Sequence, residues 1–127
     1  MVSDLFDLKW LLGDQIQQIE HSSESDRWLF RFTSGSFLSV ECLWRLRVEG
    51  VLIATSSDHG HQFGLPAPFD AVDSLHQYLD TLSISAVNIG HKTADLQLWF
   101  GDSKVLEVVQ DSAGYEPWQA SCVQIFL

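Results

Sequence analysis

The chain has 127 residues, 46% of them hydrophobic, 12% aromatic and 19% charged. That is a folding composition at the common size of one domain, able to bury roughly two-thirds of its unfolded surface without metal or disulfide staples. Seventeen acidic against seven basic residues give a formal net charge of -10, which disfavours nucleic acid and anionic membrane surfaces and favours cationic partners.

In chain order, Ser3 or Asp4 can cap a run carrying Leu5, Leu8, Leu11 and Leu12, with Gly13 as its left-handed stop. Asp4 and Asp7 stand where a secreted precursor carries Lys or Arg before an apolar run, so no signal peptide is read and a cytoplasmic location is expected. No apolar run approaches the roughly 18 residues of a membrane span.

A strand then begins at Ile16, with Ile19 three residues on, which breaks strict alternation and predicts a bulge. The second strand alternates cleanly, with Trp28, Phe30 and Phe32 on one face. Thr33-Ser34-Gly35-Ser36 turns the chain into a third strand carrying Leu38 and Val40. Trp44, Leu46 and Val48 alternate with Arg45 and Arg47, Glu49-Gly50 turns, and Val51 and Ile53 open another strand. From Ser56 to Pro68 lies the longest irregular segment, and long loops inside compact domains are often functional. A second helix is expected after Pro68, with Val72, Leu75, Leu79 and Leu82 at helical spacing. The end of the chain, Ala120 to Leu127, reads as an apolar strand after Tyr115-Glu116-Pro117-Trp118.

The segment from Leu11 to Ile19 matches that from Leu79 to Val87 at a shift of 68 residues without a gap. At the same shift Phe30 meets Leu98, Phe32 meets Phe100, Leu38 meets Leu106 and Val40 meets Val108. Residues 10–42 and 78–110 therefore read as two copies of one unit, a helix followed by a three-stranded meander. The expected fold is a single α+β domain spanning 1–127. It consists of a mainly antiparallel twisted sheet or partly closed barrel, with pseudo-twofold symmetry and two short helices.

Catalytic and nucleotide-binding signatures are missing: there is no G-x-S-x-G, H-E-x-x-H, G-x-x-x-x-G-K-[ST] or G-x-G-x-x-G. Neither an enzyme nor a cofactor is expected. Cys42 and Cys122 have no metal-ligand spacing and sit in apolar stretches. They read by default as buried, reduced thiols, with a disulfide left open. The aromatics Trp28, Phe30, Phe32, Phe37, Trp44, Trp99 and Phe100 read as core, because a stacking platform for nucleic acid needs tracking Lys and Arg.

Two constellations remain. Asp58, His59 and His61 share an irregular loop where the imidazoles can converge on Zn²⁺ or a similar ion, with His21, His76 or His91 as a further ligand. The competing use is a polar turn, Asp58 forming an Asx-turn and Gly60 taking positive φ. The second is a charge gap: from Val48 to His91 there is no Lys or Arg, while Glu49, Asp58, Asp70, Asp73 and Asp80 all lie there. Asp70 and Asp73 also suit a helix N-terminus. Together these five predict an acidic face for a basic protein partner.

Several stretches together resemble a family of short bacterial proteins of unknown function: Leu11-Leu12-Gly13-Asp14-Gln15-Ile16, Val40-Glu41-Cys42-Leu43-Trp44-Arg45-Leu46, Asp58-His59-Gly60, and Asp111-Ser112 followed by Tyr115-Glu116-Pro117-Trp118-Gln119. By size and charge the chain is also similar to immunity proteins, which implies direct binding of a cognate toxin. The expected function is thus a non-enzymatic acidic binding protein. The alternative is a small-ligand or metal-binding barrel at the His59/His61 loop.

Overall fold

A computed structural model describes residues 9–90, 95–109 and 123–126. Clean alternation in the second strand has its structural counterpart: Trp28, Phe30 and Phe32 of β2 (Arg27–Phe32) are buried while Arg27 and Arg31 face water. β2 pairs antiparallel with β1 (Ile16–Ser22) and with β3 (Phe37–Val40). The Asp14 carboxylate organises this meander, accepting hydrogen bonds from Thr33 Oγ1 at 2.8 Å, Ser34 N at 3.2 Å and Gln15 N at 3.0 Å. β9 (Val123–Phe126) adds to β3, giving a four-stranded sheet of order β1-β2-β3-β9.

The Glu49-Gly50 turn forms as expected, both residues at positive φ as a type I′ hairpin requires. It joins β4 (Leu43–Val48) to β5 (Val51–Thr55). β4 then pairs with β8 (Lys104–Val109), and β8 pairs through β7 (Leu96–Phe100) to β6 (Ile84–Ile89). The second sheet runs β5-β4-β8-β7-β6.

Ile84 and Val87 repeat the three-residue spacing of Ile16 and Ile19, and a bulge appears at each place where period two fails. The β1–β2 register shifts between Ile16 and Gln18, and the β6–β7 register shifts between Ile84 and Ala86. Ile16 faces Phe32 and Ile84 faces Phe100; Phe30 faces Leu38 and Leu98 faces Leu106. The two ladders meet where Gly13 N donates to Ile84 O at 2.8 Å and Ile84 N donates to Asp14 O at 2.8 Å.

Three expectations need correction. Two separate sheets form instead of one sheet or a partly closed barrel, because the β4–β5 hairpin joins β8 of the second meander and not β3, so neither sheet closes. Among the described residues there is one α-helix, α1 (Ala71–Leu79), and the first expected helix is represented there by a 3-10 turn, Lys9–Leu11. Leu11 is buried beneath that turn but Leu12 is exposed, and Leu5 and Leu8 lie outside the described residues. Cys42 is disulfide-bonded, not reduced; the chain's one other cysteine, Cys122, also lies outside the described residues. Among the described residues no helix is long and apolar enough to cross a membrane.

One apolar core draws on both sheets and on Ala71, Leu75 and Leu79 of α1. At its centre the Trp28 and Trp44 rings meet edge to face, centroids 5.0 Å apart, and Phe30 meets Trp44 at 6.4 Å. Both indole Nε1 atoms are buried without an acceptor among the described residues, so the aromatic packing outweighs two unmade hydrogen bonds. Truncating Trp44 to Ala should cost about 3–5 kcal/mol in urea unfolding, whereas Trp44→Phe should cost roughly half that or less, because its N–H has no hydrogen bond to lose.

Candidate functional site

Pro68 and the apolar spacing that follows place α1 against β5 and β1. Asp70 caps the helix, its Oδ1 accepting from Asp73 N at 3.1 Å. A second helix-end N–H, that of Ala71, donates to His59 Nδ1 at 3.0 Å. Such donors lack intrahelical partners, so the loop before the helix and the helix itself are locked together through His59.

The segment between them is an ordered hairpin. Gly60 N donates to Phe69 O at 2.9 Å and Phe69 N to His61 O at 2.7 Å, tying its two legs. Its tip closes through Leu65 N to Gln62 O at 2.7 Å and Gln62 Nε2 to Leu65 O at 2.8 Å. Between those residues Phe63 (φ 47°) and Gly64 (φ 75°) both have positive φ, the mark of a type I′ turn. Gly suits this; phenylalanine does not, and its Cβ crowds the backbone there. Phe63 is nonetheless 65% exposed and Leu65 is 45% exposed.

Asp58, His59 and His61 each have a use in holding this loop. Asp58 Oδ2 accepts from Thr55 N at 3.1 Å, and Asp58 O accepts from His61 N at 3.1 Å. The His61 ring lies 5.6 Å from that of Phe63. His59 turns inward to meet His21 at 5.0 Å and Trp28 at 5.1 Å, and His21 covers Trp28 at 4.2 Å while its Nε2 lies 2.9 Å from Asp26 Oδ1. Of the further ligands considered, His21 is therefore brought to His59. His76 is at the other end of α1, with Nδ1 2.7 Å from Asp80 Oδ1, and His91 lies outside the described residues. Among the described residues no three His, Cys, Asp or Glu side chains are grouped to hold a metal ion.

The acidic residues divide by position. Asp58 and Asp70 flank the hairpin base, with Asp73 one turn into α1. Asp80 lies at the helix C-terminus, about 15 Å from Asp70 at 1.5 Å per residue. Glu49 is in the β4–β5 turn, its N–H donating to Ser103 O at 2.8 Å, at the opposite end of β5 from Asp58, about 17 Å along the strand. Asp58, Asp70 and Asp73 thus lie at the hairpin base and the start of α1, apart from Glu49 at the far end of β5.

The arginines are engaged elsewhere, on the strands. Arg27 pairs with Glu41 at 3.1 Å and Arg31 with Glu20 at 2.9 Å. Arg45 and Arg47 both reach Glu107 Oε1, at 2.8 and 2.9 Å, and Gln97 donates to its Oε2 at 2.8 Å. Register explains the focus on Glu107: on central strand β8 it faces Arg45 across one ladder and Gln97 across the other. No ion pair falls on Asp58, Asp70 or Asp73 among the described residues.

The sequence did not single out Phe63, Leu65 or the His21–Trp28–His59 contact. The Phe63-Gly64 pair was the available signal for the first, since a turn that ends in Gly can carry positive φ through both central residues. No local pattern signals the second, which joins residues of distant segments. No family model matches the chain, and no curated protein or solved structure matches it.

Two outcomes follow from this geometry. Burial pushes the Glu107 carboxyl up, but the hydrogen bonds from Gln97, Arg47 and Arg45 and the Arg47 charge outweigh it and hold the group at about 2, below its ordinary 4.5. A lowered carboxyl stabilises the fold fully above its unfolded value and loses that contribution as pH falls from about 4.5 to about 2, on the order of 2–3 kcal/mol. Urea titrations at pH 7, 4 and 2.5 should show that loss, and Glu107→Gln should flatten it. Separately, Phe63→Gly should raise stability by about 1 kcal/mol by relieving the positive φ, read as a higher urea midpoint with unchanged slope.

Proposed function

We propose that this chain is a non-enzymatic binding protein that engages a basic protein through the acidic surface of the hairpin and α1, in the manner of an immunity protein that neutralises a toxin by direct contact. The observation that carries the reading is the segregation of charge. Every described arginine is paired with an acid, while no ion pair falls on Asp58, Asp70 or Asp73 among the described residues. An uncompensated acidic surface draws in a basic partner and orients its approach. Asp80, with His76 Nδ1 2.7 Å from its Oδ1, extends the surface along the helix.

The alternative, a small-ligand or metal site at Asp58, His59 and His61, has less behind it. His59 Nδ1 is occupied by Ala71 N–H and Asp58 by Thr55 N–H. A duplication of one three-stranded meander unit, giving pseudo-twofold symmetry, is the reading we favour for the origin of the fold. It is supported by ladder registers and bulges that recur at a spacing of 68 residues, the shift that separates Ile16 from Ile84 and Phe32 from Phe100. Disulfides persist in oxidising compartments, so Cys42 lends no support to the cytoplasmic location expected from the acidic first turn.

Association with the basic partner should slow as salt shortens the Debye length to about 8 Å or less. Because Asp70 caps α1, the test combines Asp70→Asn, which keeps the cap, with Asp73→Lys. This pair should lower the on-rate about tenfold in surface plasmon resonance, with a helix-end cost of roughly 0.3–1 kcal/mol for the reversed charge. Salt-independent kinetics, or a partner whose contacts avoid the hairpin and α1, would falsify the reading.

A further inference from the structure

We infer that Phe63 and Leu65, at the tip of the hairpin, are the apolar anchor of this surface: they insert into an apolar pocket, rimmed by Lys and Arg, on a basic protein partner. The inference rests on the binding reading above and deepens it, since acidic side chains alone steer an encounter but do not hold it.

Single exposed apolar residues are ordinary on protein surfaces, and three features set this pair apart. First, the two most prominent side chains of one four-residue turn are both large and apolar, where turn chemistry favours Gly, Asn or Asp. Phe63 occupies a left-handed position that a polar residue would fill with less strain, and strain kept at an exposed position points to a use for the side chain. Second, the tip is pre-organised. Its closing hydrogen bonds, the two bonds between its legs, and the His59 link to α1 fix the anchor before any partner arrives. Pro66 and Pro68 restrict the descending leg further. Little ordering entropy then remains to be lost on binding. Third, the base of the hairpin is flanked by Asp58, Asp70 and Asp73, none of them in an ion pair among the described residues. An apolar tip on a hairpin whose base carries charge of one sign fits a partner that carries the opposite sign beside an apolar pocket. Val51 and Leu52 are also exposed, but they begin β5 at its far end, away from these acids.

Two labelled synthetic peptides separate the anchor from the charge: a twelve-residue Lys/Leu amphipathic helix and a Lys/Ser control of equal charge. Their affinities are read by fluorescence anisotropy, with contacts mapped by amide chemical shifts. Phe63→Asn with Leu65→Ser should weaken the Lys/Leu peptide at least about tenfold, because two large apolar side chains are then no longer buried. The same pair should leave the Lys/Ser peptide within about twofold, as a charge-driven contact does not use them. Asp70→Asn with Asp73→Lys should weaken both peptides. Both tip residues are exposed, so the variant should fold, and far-UV circular dichroism checks this. If the tip variant binds the Lys/Leu peptide as tightly as the parent, the anchor is overturned while the acidic reading stands. If neither peptide responds to the Asp70 and Asp73 changes, the acidic reading falls as well. Shift changes confined to strands away from residues 58–73 would overturn the anchor too.

Discussion

The contact on which the rest of this molecule depends is the edge-to-face meeting of Trp28 and Trp44. Trp28 belongs to the four-stranded sheet and Trp44 to the five-stranded one, so their rings are where two sheets become one core. Neither sheet is independently stable with its inner face open, since each carries a continuous row of large apolar side chains. The molecule keeps those rings in contact with two buried indole N–H groups that find no acceptor among the described residues. Aromatic area buried at that position outweighs what the missing hydrogen bonds would have contributed.

The same contact reaches the surface. Trp28 is covered by His21, and both meet His59, which holds the first N–H of α1. A continuous path of packed rings therefore runs from the centre of the core to the hairpin base. That explains how a long loop rich in Gly and Pro has a defined shape: it is fastened at one end to the core and at the other to a capped helix. The loop can then present its tip at a fixed position relative to the acidic residues beside it.

Charge is distributed by strand register and not merely by composition. Alternation puts Arg45 and Arg47 on the outer face of β4, and the β4–β8 ladder sets Glu107 directly across from Arg45. The carboxylate gathers both guanidiniums and Gln97, and so the sheet face is internally balanced. The excess negative charge of the chain is displaced from there. At the hairpin base Asp58, Asp70 and Asp73 enter no ion pair among the described residues, while Lys104 Nζ lies 6.0 Å from the Tyr78 ring of α1.

Alternation, turn chemistry and the bulge signature at Ile16 and Ile84 were legible in the sequence, because side-chain period and turn preference are local properties of the backbone. They determined the strands of both meanders, the Glu49-Gly50 hairpin, the helix beginning beside Asp70, and the absence of Lys and Arg between Val48 and His91. Which strands pair across the two meanders was not local. That β4 joins β8 and leaves β3, dividing the expected single sheet in two, is decided by how the inward faces bury one another. So is the separation of Glu49 from the other acids: adjacency in sequence placed it in the charge gap, but the length of β5 carries it to the far end of the sheet. His59 illustrates the same division, for its neighbours in sequence suggested a metal ligand, while packing against His21 and Trp28 made it a fastener of the loop. The strained, exposed Phe63 belongs to tertiary structure for the same physical reason. Exposure and positive φ are set by what surrounds a residue and by the bonds that close its turn, and neither is written in the side chain itself.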